Sequence, residues 1–161
     1  MANTNHESHA RGRSTPAFAS LVLACMGIID LVRGFLHTFM VQHSAVHVAG
    51  MDLSQDGGNQ LMLLGAFGIS NFLTGALFIA VAWKARQLVP AVLLIAPAAY
   101  LLGFIALRLN HVSPEAAFPG RWFMLCYLSV SFLTFLASAI WMRTSRVAQC
   151  GAGAKTKAWS T

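Results

Sequence analysis

The chain has 161 residues, one domain's worth, of which 57% are hydrophobic and only 10% charged. A soluble domain carries roughly 25% charged residues. Here the apolar residues come in long blocks and the mean hydropathy is +0.62, which excludes an ordinary soluble core and points to an integral membrane protein. The net charge of +6 does not signal nucleic acid, because the basic residues flank the apolar blocks as a topology signal does.

Residues 1–16, MANTNHESHARGRSTP, read as a short disordered tail. The apolar run behind them is too long for a signal-peptide core. It carries Asp30 and Arg33, so it reads as a retained first span over residues 17–41. Pro16 suits a first helical turn, with Ser14 or Thr15 as the cap. Gly27, Asp30, Arg33, Gly34 and His37 share the small and polar face of this span. The two glycines would let a second helix come close. Residues 42–60 follow, with His43 and His47 four apart and a turn-rich stretch at Asp52, Asp56, Gly57 and Gly58.

The second span is predicted over 60–83, with Gly68, Asn71 and Gly75 on one face and Gly65 beside them. KARQ at 84–87 is so short that spans two and three must form an antiparallel hairpin. The third span, 88–109, has Pro97 in its middle. A kink is expected there, and the freed backbone group needs a neighbouring helix, a hydroxyl or water. The loop to span four holds Pro114 and Pro119. Span four is predicted over 122–142, and the basic, small-residue segment 143–161 as a second disordered tail. Trp83, Trp122 and Trp141 fall at span ends, where aromatic belts belong. The fold class is therefore all-α, an integral membrane antiparallel four-helix bundle.

Orientation follows from Lys and Arg. Arg11, Arg13, Lys84, Arg86, Arg143, Arg146, Lys155 and Lys157 lie on one side, and only Arg108 and Arg121 on the other. Both termini are then expected in the cytoplasm. Four spans agree with that parity.

An ionisable group inside a span is expensive and needs a partner, a wet cavity or a task. Arg33 lies roughly 12 Å, and Asn71 roughly 16 Å, below the outer ends of their spans at 1.5 Å per residue. Tyr100 and Tyr127 fall in the outer halves of spans three and four. Asp30, Arg33, His37, Asn71, Tyr100 and Tyr127 are the candidate ligand-binding residues, around a polar pocket open to the extracytoplasmic side. His43, His47, Arg108, His111 and Arg121 could line its mouth. Two readings of Asp30 and Arg33 stand: an ion pair that neutralises itself and pins helices, or a ligand site in which Arg33 anchors a carboxylate and Asp30 holds it in place. His37 is either an interfacial histidine or part of a proton relay. His43, His47 and His111 are weak metal candidates, because no HExxH and no cysteine partner accompanies them. Cys25, Cys126 and Cys150 are odd in number and lack CxxC spacing, so neither a disulfide framework nor a zinc site is indicated. No nucleophile elbow, phosphate loop or nucleotide fingerprint occurs, so no cofactor is expected and nothing points to an enzyme.

The segments DLVRGFLHTFMVQHSAVHVAGMDLS, NQLMLLGAFGISNFLTG, PAAYLLG and GRWFMLCYLSV, within residues 18–140, resemble the BphX-like family of small bacterial membrane proteins. The chain is more distantly similar to the DoxX-like four-helix proteins. The resemblance implies a bacterial inner-membrane protein near aromatic-compound catabolism. It lends no catalytic residue. The leading expectation is a protein of the lipid bilayer that binds or passes a small amphipathic or aromatic molecule, with Phe35, Phe67 and Tyr100 as apolar walls. The alternative is a structural or accessory subunit of a larger membrane complex, or of a homo-oligomer, with no ligand of its own. A membrane redox enzyme lacks dedicated cofactor ligands.

Overall fold

The computed structural model describes residues 15–54, 56–111 and 120–158, without the side chains of residue 121 and of residues 146–158. The segment 1–14 and the prolines of the third loop lie outside the described residues. Four long helices carry the chain: α1 over Ala17–Phe39, α2 over Gly57–Lys84, α3 over Val89–Leu109 and α4 over Gly120–Ala158. No strand occurs among the described residues. Within them, Ala17–Phe39, Gly57–Lys84, Arg86–Leu109 and Trp122–Ser145 are long and apolar enough to cross a membrane.

The helix boundaries have local causes. Pro16 takes the position before α1, extended at φ −61° and ψ 138°, and no side chain caps the helix. The cap expected from Thr15 is therefore absent; the Pro16 carbonyl accepts from the Ala19 N–H instead, at 3.1 Å. α1 ends at Met40 (φ −120°, ψ 37°). One α-turn, Val41–His43, and a π-helical turn, Ser44–Val48, follow. Gly50, at φ 65°, then reverses the chain at little steric cost. Asp52 Oδ1 accepts from the Ser54 N–H at 2.9 Å, and this bond holds the exposed carboxyl below its usual pKa. The second terminal tail differs from expectation, since α4 stays helical to Ala158. No proline follows Arg121, so nothing in the sequence forbids the helix from running on.

The four helices associate as two pairs. α1 and α2 pack along most of their length, α3 packs on α4, and α2 touches α3 little although only a single 3-10 turn, Arg86–Leu88, joins them. Glycine explains the first pair. A Cβ on Gly75 would stand 2.6 Å from the Gly27 carbonyl oxygen, and one on Gly27 would stand 2.8 Å from the Gly75 carbonyl oxygen. Two turns on, a Cβ on Gly34 would stand 3.0 Å from the Gly68 carbonyl oxygen. The backbones therefore touch directly, as small residues permit in lipid. These two contacts fix an antiparallel register that sets Asn71 opposite Leu31, beside Asp30.

Pro97 explains part of the second pair. Its ring nitrogen cannot donate to the Leu93 carbonyl four residues back. The buried Ser131 Oγ of α4 donates to that carbonyl instead, at 2.9 Å. The hydroxyl expected for the freed group is thus supplied by the neighbouring helix. With Leu93 opposite Ser131, Pro97 falls level with Tyr127, and Tyr100 one turn further towards the long loops.

The core lies at the end of the bundle that holds the 84–88 turn. Ala19, Leu23, Met26, Phe78, Val81, Ala82, Val89, Leu93 and Tyr127 are its buried apolar side chains. Towards the long loops, by contrast, every residue of α3 from 101 onwards is exposed. Large apolar side chains cover the outside, including Leu63, Leu73, Leu102 and Leu133. Trp83, Trp122 and Trp141 are exposed at the span ends.

Candidate functional site

One buried polar layer crosses the bundle just above the core. α1 delivers Asp30, only 3% exposed, to its centre. The Tyr127 hydroxyl of α4 donates to Asp30 Oδ2 at 2.7 Å. Arg33, one turn along α1, brings Nη1 to 3.5 Å from Asp30 Oδ1. Neither of these two atoms has a hydrogen bond. Their attraction is electrostatic, and the donors of the guanidinium are not used up by the carboxylate.

Aromatic rings flank the guanidinium. Its carbon lies 5.5 Å from the centroid of Phe67 on α2 and 5.6 Å from that of Phe123 on α4. Each contact contributes about 0.5–2 kcal/mol according to how dry it is. Arg33 is thereby stabilised by two ring faces and one negative charge while its side chain keeps 15% exposure. Phe67 and Phe123 are themselves 38% and 48% exposed, so the rings that flank Arg33 lie outside the packed core.

The other candidates fall around this layer. Asn71 is 5% exposed and level with Asp30, and its Nδ2 has no hydrogen bond. It faces the bundle, not lipid. Tyr100 on α3 is half-buried, one turn from the level of Tyr127. His37, one turn beyond Arg33, shares a 2.6 Å hydrogen bond between Nδ1 and the fully buried Ser44 Oγ. Its ring lies 6.0 Å from Phe67. That bond ties the end of α1 to the π-helical turn. Of the expected apolar walls, Phe67 takes part. Phe35 instead is 50% exposed and pairs with Phe39 at 5.2 Å.

The mouth residues are more dispersed. His43 and His47 stack at 4.5 Å between ring centroids, and His47 Nδ1 donates to the His43 carbonyl at 3.3 Å. Both are exposed. No group of three His, Cys, Asp or Glu able to hold a metal occurs among the described residues. Arg108 lies over its own neighbour Phe104 at 5.1 Å. His111 sits at φ 58° at the end of α3, and the side chain of Arg121 is outside the described residues.

Sequence reasoning missed Phe123, Ser44 and Ser131. Phe123 is one apolar residue among many on α4. Ser44 lies beyond the end of α1 and is brought back only by the π turn. The need that Ser131 meets was legible at Pro97, but which of span four's hydroxyls would meet it was not.

Four apolar spanning helices around a buried Asp–Arg–Tyr layer define a multi-pass membrane protein. Comparison with protein-family models, with curated proteins and with solved structures finds no match.

Proposed function

We propose that the protein sits in a bacterial inner membrane with both termini cytoplasmic, and that it binds or passes a small amphipathic or aromatic molecule at the Arg33 layer. The observation that carries this reading is Arg33 itself. Its charge is held in the membrane interior between two half-exposed phenyl rings, and its Nη1 lacks a hydrogen bond. A planar cation with free donors and aromatic walls suits a ligand that combines a ring or chain with one acidic or carbonyl head. The open Nδ2 of Asn71 offers a second donor at the same level. The placement of Lys and Arg supports the orientation. The resemblance to the BphX-like proteins agrees with an aromatic ligand.

Mass spectrometry of protein extracted in mild detergent tests this reading, together with thermal-shift scans against aromatic acids, phenols, quinones and lipids. A bound or stabilising molecule is expected from one of these classes. Its effect should vanish in Asn71→Leu and in the charge-neutral double variant Asp30→Asn/Arg33→Gln. If nothing co-purifies and no compound raises the wild-type melting temperature, binding is refuted.

A second reading has its own observation. The Tyr127–Asp30 hydrogen bond joins α4 to α1, so the same layer can act as a structural lock in an accessory subunit of a larger complex. Stoichiometric co-purification of a partner protein, with no small molecule, would favour it.

A further inference from the structure

The polar layer is electrically balanced. Arg33 is the only Lys or Arg in the interior of any span, and Asp30 the only Asp or Glu. They stand 3.5 Å apart. No titratable side chain of α2 reaches this level, because Lys84 and Asp56 lie at its two ends. α3 contributes the phenol of Tyr100 and α4 that of Tyr127. His37 and Arg33 are the remaining ionisable groups of α1 near Asp30.

An anion that took Arg33 for itself would leave this layer with an excess negative charge. Asp30 is 3% exposed, and an unpaired carboxylate in that surrounding costs several kcal/mol. No second permanent cation lies in the layer, and His37, two turns along α1 from Asp30, has its Nδ1 engaged with Ser44 Oγ. A proton is the one mobile positive charge that fits, and Asp30 Oδ1 is the oxygen left free to take it, since Oδ2 already accepts from Tyr127. We propose, resting on the ligand-binding reading above, that the site takes carboxylates as the acid: one carboxylate enters on Arg33 and one proton enters with it, onto Asp30 Oδ1.

In that exchange the Asp30–Arg33 attraction is replaced by a carboxylate–guanidinium pair. The proton comes from water or from the acid form of the ligand. No other bond forms or breaks, and the charge of the layer is unchanged. The class of ligand follows: a monocarboxylate with an apolar ring or chain to lie against Phe67 and Phe123. A permanent cation or a dianion would leave the layer charged.

Isothermal titration calorimetry of the full-length wild-type chain in detergent, with benzoate as the probe, tests this. The titration is run at pH 7.5 in phosphate and in Tris, whose different ionisation heats give the number of protons exchanged, and in phosphate between pH 6 and 8 for the pH dependence of the Kd. One proton should be taken up per benzoate, and the Kd should rise about tenfold per pH unit. Asp30→Asn, which keeps the shape of the side chain, should bind benzoate with no proton uptake and a flat pH dependence. Benzoate binding to the wild type with no proton uptake overturns the coupling and leaves the binding reading standing. Binding to Asp30→Asn but not to the wild type also overturns it, since Asp30 would then not be displaced. No binding to either protein, at any pH, overturns the coupling and refutes Arg33 as a carboxylate anchor.

Discussion

At the scale of single residues, two hydrogen bonds between α1, α3 and α4 do different work. The Tyr127 hydroxyl donates to a buried carboxylate at 2.7 Å. Hydrogen bonds to charged acceptors contribute about 1.5–3 kcal/mol in water-soluble proteins, and helix–helix bonds in membranes reach about 1.7 kcal/mol at most. Tyr127→Phe should therefore destabilise the protein by about 1–2 kcal/mol, measured by reversible unfolding in mixed micelles. Ser131 instead repairs a backbone. Ser131→Ala leaves the Leu93 carbonyl without a donor and should cost about 1 kcal/mol. In a Pro97→Ala background the cost should nearly disappear, because the residue at 97 then has its own N–H for that carbonyl. A double-mutant cycle measures this directly, and equal costs in both backgrounds would refute the repair. Proline at 97 announced an orphaned carbonyl; the hydroxyls of Tyr127, Ser129, Ser131, Thr134 and Ser138 on span four left its donor ambiguous.

At the scale of helices, the α1–α2 pair depends on the absence of two Cβ atoms. Gly75→Ala would put a methyl 2.6 Å from the Gly27 carbonyl oxygen, a backbone atom that cannot turn aside. The helices must separate, and a loss of about 1–3 kcal/mol is expected. Gly103→Ala on α3 meets nothing within 4 Å and should be neutral or slightly stabilising. Unfolding midpoints of the two variants, measured side by side, check the contrast. This contact was legible, because glycines at helical spacing on two spans mark a close approach. The pairing of α3 with α4, and the scant contact between α2 and α3, was not. A short link shows only that two helices are antiparallel neighbours in sequence. In a membrane, lipid-facing and helix-facing side chains are both apolar, so periodicity does not reveal which faces meet. For the same reason the inward turn of Asn71 was readable from its polarity, whereas Phe123 was invisible among its apolar neighbours.

At the scale of the whole molecule, four spans and their number were fixed by hydrophobic length alone, and the helices begin or end within a few residues of the predicted limits apart from the long end of α4. The end of α4 was not readable, since a basic, glycine-containing segment can be helix or coil and no proline decides between them. The orientation proposed from Lys and Arg makes a separate prediction. Green fluorescent protein fused to the C-terminus should fluoresce in a bacterial host, and alkaline phosphatase fused there should be inactive. The reverse pattern would invert the topology and place the polar layer nearer the cytoplasm.

The two glycine contacts carry a mechanical consequence. Backbones that touch at Gly27–Gly75 and Gly34–Gly68, with Ile79, Leu31 and Phe72 closed around the contacts, tie α1 and α2 into one strut. The sparsely packed seam of the bundle lies between that strut and the α3–α4 pair. Above the core, Tyr127 on Asp30 is a polar rivet across that seam. A ligand that draws Arg33 away from Asp30 acts on this rivet, and the seam is where its arrival would be felt.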